Sequence, residues 1–282
     1  MAIARAAVVG KYGLPARFSD ALDRIIELAL VVFEYCHATG AIGRVLEHAR
    51  GLLPIAADVE VTLEANPGTI ERGRFAEYAA AGVNRVSVGA QTFDASRLRA
   101  LGRVHSPAET ASALAELHAA GVDNFNIDLM YGLPGQGVAE ALADVQAALS
   151  FSPAQISHYH LTLEPGTPFA AQPPPALPDE DTTVEILAAC LPALQAAGFE
   201  RYEVSAYARS GRACAHNLLY WNFGDYLGLG AGAHGKLSGR DPASGEWRIV
   251  RTTQPCDYQW VNIIRQVDIC SHRDKAGRLG CR

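Results

Sequence analysis

Between residues 59 and 207, short runs of alternating apolar and polar positions are separated by longer stretches whose apolar residues recur three and four apart. The alternating runs predict strands at Val59–Ala65, Arg85–Gln91, Asn124–Met130, Ile156–Glu164 and Tyr202–Tyr207, because a period of two is the mark of a strand with two unlike faces. The longer stretches predict helices. Val138, Leu142, Val145 and Leu149 form one stripe, and Val184, Leu187, Leu191 and Leu194 another, which Pro192 is expected to kink. Ser106-Pro107-Ala108-Glu109 reads as a capping box with proline at the first helical position. Gly82, Gly102, Gly121 and Gly198 each stand where a helix end wants a left-handed residue. Near the start, Ser19 is placed to cap a helix over Asp20–Phe33. Strands alternating with helices of this length imply a parallel sheet with right-handed crossovers.

The strand faces carry the functional signal. Val59, Val61 and Leu63 oppose Glu60, Thr62 and Glu64; Val86, Val88 and Ala90 oppose Ser87, Gly89 and Gln91; Phe125, Ile127 and Leu129 oppose Asn124, Asn126 and Asp128. In the fourth run Tyr159, Leu161 and Leu163 oppose His158, His160, Thr162 and Glu164. A closed barrel packs branched aliphatics inside, and parallel sheets are normally covered on both faces. One polar face in four successive strands therefore predicts an incomplete α/β barrel whose interior receives a ligand. Glu64, Gln91, Asp128 and Glu164 fall at the carboxyl ends of the strands, where such folds place their chemistry.

The chain has 282 residues, 49% hydrophobic and 19% charged, with a net charge of −6 and a pI near 5.8. That apolar content excludes a disordered chain, and the acidic balance argues against non-specific nucleic-acid binding. No apolar run approaches the ~20 residues of a membrane span, and no secretory signal opens the chain, so it reads as soluble and cytoplasmic. Cys36, Cys190, Cys214, Cys256, Cys270 and Cys281 contain no C-x-x-C pair and are expected to be reduced thiols. Four segments are expected: a divergent start (1–41), the partial barrel (42–208), an aromatic and glycine-rich extension (209–253) and a divergent tail (254–282). Gln172–Pro178 is a stiff linker.

Seven phrases, in order, resemble the HemW family of haem chaperones, the oxygen-independent coproporphyrinogen III oxidase-like branch of the radical S-adenosylmethionine proteins. They are LEANPGT (Leu63–Thr69), NRVSVGAQTF (Asn84–Phe93), LGRVHS (Leu101–Ser106), FNIDLMYGLPGQ (Phe125–Gln136), HLTLEPGTPF (His160–Phe169), YEVSAYA (Tyr202–Ala208) and HNLLYWNFGDYLGLGAGAHG (His216–Gly235). The resemblance implies a partial (β/α)6 barrel that holds S-adenosylmethionine, with Glu64, Gln91, Arg103 and Asp128 against its methionine, ribose or adenine parts. Carboxylates suit an ammonium or ribose hydroxyls, and an arginine forks onto a carboxylate. The family's opening C-x-x-x-C-x-x-C, which holds a [4Fe–4S] cluster, and its GGGTPS phrase do not occur in this sequence. Ligation by thiolates needs clustered cysteines, so neither a cluster nor radical catalysis is expected in this chain. Without the family's first two strands, Val59–Ala65 is expected to be a bare sheet edge, and divergence at both ends suggests a truncated or frame-shifted member.

The HNLLYW phrase sets His216 and Tyr220 one helical turn apart, with Asn217 between them and Trp221 alongside. Imidazole is the commonest haem iron ligand and tyrosinate a rarer one. Residue types alone leave two readings open, a haem site or a hydrogen-bonded packed corner; the resemblance implies haem, passed on to a client protein. It leaves two alternatives, a porphyrinogen oxidoreductase of the radical family and a non-functional truncated product. Cys214 reads as a buried thiol, His234 as a residue held by backbone contacts, and His158 with His160 as barrel lining.

Overall fold

In this computed structural model the described residues are 5–6, 29–33, 39–52, 55–68, 73–228, 233–241, 244–253 and 265–269. They form two compact units: Met1–Thr62 with Cys214–Arg282, and Leu63–Ala213.

The second unit is built on strands β3 (Glu60–Ala65, whose first three residues belong to the first unit), β4 (Arg85–Gln91), β5 (Phe125–Tyr131), β6 (Gln155–His160), β7 (Glu200–Arg201) and β8 (Ala206–Ala208). Their order is β3-β4-β5-β6-β8-β7. β4, β5 and β6 run parallel, and β8 and then β7 are added antiparallel. The predicted single run Tyr202–Tyr207 is instead split: residues 202–205 turn between β7 and β8, and Ala206 and Tyr207 open β8. Tyr202 donates its backbone N–H to the Ala206 carbonyl at 3.1 Å, and Glu203 accepts from the Ser205 N–H at 3.1 Å.

Helices at Phe75–Ala81, Ala95–Ala100, Pro107–Ala119, Val138–Ser150, Pro168–Ala171 and Glu180–Ala196 link the strands. Leu63, Val86, Val88, Phe125, Ile127, Leu129 and Ile156 are buried, as are Leu114, Leu117, Val145, Ile186 and Leu194 of the helices, so the apolar strand face forms the core as the alternation predicts. Ser106 and Glu109 form the expected capping box. Gly82, Gly102, Gly121 and Gly198 all adopt positive φ, and the last helix continues through Pro192.

Within the first unit, β1 (Arg5–Ala6) pairs antiparallel with β2 (Ala29–Phe33), and β2 borders β3. This corrects two expectations. Ala29–Phe33 is a strand, not the end of a helix, and β3 is not a bare edge; residues 20–28 lie outside the described residues. The sequence ALVVF is rich in β-branched and aromatic side chains, which fit a pleated surface better than a helix. A helix at Thr39–Leu52, another at Ala215–Trp221, and an antiparallel sheet of β9 (His234–Arg240), β10 (Trp247–Thr253) and β11 (Arg265–Ile269) in the order β11-β10-β9 complete the unit. β11 lies inside the stretch read as a tail without a period.

Candidate functional site

The polar face of the second unit begins with Ser87, Asn126 and Gln155, which are paired across β4, β5 and β6; Asp128 and Ser157 pair one step further on. The Asp128 carboxylate accepts from Asn126 Nδ2 at 2.7 Å, from Tyr159 Oη at 2.9 Å and from Ser87 Oγ at 3.3 Å. Asn126 in turn donates to Ser87 Oγ and accepts from Ser157 Oγ, both at 3.1 Å. Glu64 joins through a hydrogen bond with Ser87. Burial, and then the neighbouring Asp128, push the Glu64 carboxyl up to about 7 against the pull of Arg85. Burial likewise raises Asp128, against its four hydrogen-bonding neighbours. Two carboxyl groups in one desolvated site favour a shared proton or an incoming cation.

A second group lies toward the carboxyl ends of β3 and β4. Gln91 is buried with a left-handed φ of 66°. Its Nε2 and the Asn66 Oδ1 would lie 3.1 and 3.2 Å from a Cβ placed on Gly89, so only glycine leaves both side chains where they are. Arg103 donates to Asn66 Oδ1 at 3.3 Å. Thus Glu64 meets Asp128, while Gln91 and Arg103 meet around Asn66. Since successive same-face residues of a strand are ~7 Å apart, Ser87 and Gly89 connect the two groups along one face.

The fourth strand is corrected. β6 ends at His160, so Thr162 and Glu164 are exposed loop residues and Glu164 is not at a strand end. The faces of β6 are also the reverse of the prediction: Ser157 and Tyr159 join the Asp128 group, while His158 and His160 lie on the helix side, with ring centroids 4.6 and 5.3 Å from that of Tyr131. Burial lowers the His158 pKa to about 4. His158 is therefore a buried packing group and His160 an exposed one beside Tyr131, and neither shares the face of Asp128. The alternation places Ser87 and Asn126 on the polar face without giving them a partner; Ser157 carries no signal alone, and Tyr159 reads as apolar by its ring although its hydroxyl is what reaches Asp128.

In the first unit the helix Ala215–Trp221 carries His216, Asn217, Tyr220 and Trp221. Cys214 directly precedes it and is fully buried. Tyr220 and Trp221 are 53% and 58% exposed, and Phe223 just beyond them is exposed too. Tyr220 packs edge-to-face on Tyr226, with centroids 4.6 Å apart, and burial raises its pKa. Lys236 Nζ anchors the following turn by donating to the carbonyls of Phe223 and Gly224 and to Asp225 Oδ1 at 2.8, 3.1 and 3.0 Å. His234 pairs with Thr253 between β9 and β10, as a residue held by backbone contacts, and its Nδ1 lies 3.2 Å from Thr253 Oγ1.

Residues 20–148 match the family model of the Radical SAM superfamily. The fold also matches that of the solved coproporphyrinogen III oxidase HemN of Escherichia coli, a radical SAM enzyme, with a TM-score of 0.65 at 22% identity over 79% of this chain and 52% of that one; at that identity the likeness is one of fold. The chain thus carries a radical SAM α/β domain with a mostly parallel, open sheet.

Among curated relatives, the heme chaperone HemW of Escherichia coli is 48% identical over 76% of this chain and 55% of its own length. HemW of Haemophilus influenzae is 45% identical over 77% and 56%. The mitochondrial radical S-adenosyl methionine domain-containing protein 1 of Mus musculus is 39% identical over 85% and 54%. The chain is a HemW-like member of the radical SAM superfamily, and it spans about half the length of the curated relatives it matches. No helix among the described residues is long and apolar enough to cross a membrane.

Proposed function

We propose that the chain binds haem on the helix Ala215–Trp221 and passes it to a client protein, a reading in keeping with the name heme chaperone that its HemW relatives carry. The observation that carries this reading is the exposure of Tyr220 and Trp221 on the same short helix as His216. Large aromatic rings left in water at a site with a potential iron ligand suit a flat apolar macrocycle, which would cover them. His216 would ligate the iron, Tyr220 and Trp221 would stack on the porphyrin, and Asn217 would support one edge.

S-adenosylmethionine is proposed for the polar face of the second unit. The raised carboxyls of Glu64 and Asp128 suit a group that brings positive charge, and Arg103 suits the ligand's carboxylate. The space beside Gly89, where a Cβ would crowd Gln91 and Asn66, fits close approach of a ligand. Thiolate ligation of an iron–sulfur cluster needs clustered cysteines, and no C-x-x-x-C-x-x-C occurs in the given sequence.

Haem titration of the whole chain, followed at the Soret band, tests the reading. His216→Ala is expected to shift the band and weaken binding at least tenfold, and Trp221→Ala to weaken it without the shift. An unchanged Soret band and affinity in His216→Ala would remove His216 as the ligand.

A further inference from the structure

The first unit brings together three metal-ligating side chains of different chemistry. Cys214 Sγ lies 3.0 Å from His216 Nδ1 and 3.6 Å from Glu60 Oε1, and His216 Nδ1 lies 3.9 Å from that same oxygen. Glu60 stands at the start of β3, 154 positions before Cys214, so the chain closes a long loop to place it there. Zinc bonds of ~2.3 Å to sulfur, ~2.0 Å to nitrogen and ~2.1 Å to oxygen, at tetrahedral angles, put such donors about 3.4–3.6 Å apart. The sulfur–oxygen separation of 3.6 Å meets that range, while sulfur–nitrogen at 3.0 Å is shorter and nitrogen–oxygen at 3.9 Å longer, so a rotation of the His216 ring would accompany binding.

Charge and support agree with the geometry. A thiolate, a carboxylate and a neutral imidazole sum to −2, matching a divalent cation. The Ala215 N–H donates to Glu60 Oε1 at 3.1 Å and Oε2 at 3.3 Å, and Thr62 Oγ1 donates to Oε1 at 3.3 Å. These bonds hold the carboxylate in one orientation, as outer hydrogen bonds do at metal sites. Cys214 is fully buried, while the Glu60 and His216 side chains keep 15% and 17% exposure, which leaves one side open to a fourth ligand.

We propose that Glu60, Cys214 and His216 bind one thiophilic divalent cation, zinc foremost, with water in the fourth position. On binding, the Cys214 thiol proton passes to solvent and the sulfur–metal bond takes its place. The competing arrangement is a metal-free trio in which the thiol hydrogen-bonds to its neighbours.

Cobalt(II) titration of the metal-free, reduced whole chain separates the two. Expected are one equivalent bound, a thiolate-to-cobalt charge-transfer band in the near ultraviolet, intense visible bands of a tetrahedral ion, and their loss on adding zinc. Cys214→Ser should abolish the charge-transfer band, with the far-ultraviolet circular dichroism unchanged. Glu60→Gln, whose amide oxygen can still accept from Ala215, should weaken binding at least tenfold while keeping the band. Absence of the band in the unaltered chain, or its persistence in Cys214→Ser, where the other five cysteines remain, would overturn the proposal. Neither readout involves haem, so the cobalt titration tests this site whatever the haem titration gives.

Discussion

Glu64→Gln is expected to stabilise the chain at alkaline pH, although it removes a charged group from a hydrogen-bonded cluster. In the folded state the Glu64 carboxyl is raised from 4.5 to about 7, so the unfolded chain releases its proton first as pH rises. The folded state is then favoured below the unfolded value, and that advantage is lost as pH climbs through 7. For a group with these two values, ionisation opposes folding by about 3 kcal/mol at pH 8 and by about 1 kcal/mol or less at pH 5. Glutamine keeps the shape, cannot ionise and relieves Asp128 of a like charge. Urea unfolding of both proteins should therefore show the variant more stable by roughly 2–3 kcal/mol at pH 8 and nearly level at pH 5. An equal difference at both pH values, or a less stable variant at pH 8, would refute the argument that the acidic pair is held under desolvation.

Two further outcomes follow from β6 and its neighbours. His158, lowered to about 4 by burial, is neutral in the fold. Its stabilising effect is complete above the unfolded value of about 6.5 and is lost as pH falls toward 4. His158→Phe, which keeps a ring on Tyr131, should flatten the acid limb of a stability–pH curve between those values, and an unaltered limb would contradict it. Gly132 has a φ of 73°, and a Cβ there would lie 2.7 Å from His160 Cδ2. Gly132→Ala should therefore lose more than about 1 kcal/mol in thermal or urea unfolding, from left-handed strain with the clash added, whereas a neutral substitution would show that the His160 ring is free to swing away.

Much of the second unit was legible because its signals are local. β4 follows its predicted bounds, Arg85–Gln91, since alternation and the flanking turn agree, and the capping box at Ser106 is written in four consecutive letters. Alternation alone assigns the faces of β6 the wrong way round because histidine and tyrosine are both amphipathic. Only the register that pairs Asp128 with Ser157 decides which of them faces the acidic pair. Ala29–Phe33 was misjudged because a short apolar run fits either period, and pairing with β1 settles it. Glu64 and Asp128 were readable as strand-end acids, but their mutual approach depends on Ser87 and Asn126. Of the Glu60–Cys214–His216 group, His216 stands out in the HNLLYW phrase with Cys214 two positions before it, but Glu60, 154 positions before Cys214, carries no signal that would join it to them.

The single imidazole of His216 sits between two claims. A neutral ring has one lone pair to give. When Nδ1 carries the hydrogen and points it at Cys214 or Glu60, Nε2 is left basic and able to take an iron; when Nδ1 itself binds a cation, Nε2 carries the hydrogen and can only donate. The 3.0 Å approach of Nδ1 to the sulfur would therefore make the two proposed ligands rivals for one pair of electrons, and whichever arrived first would decide what the neighbouring aromatic surface could hold.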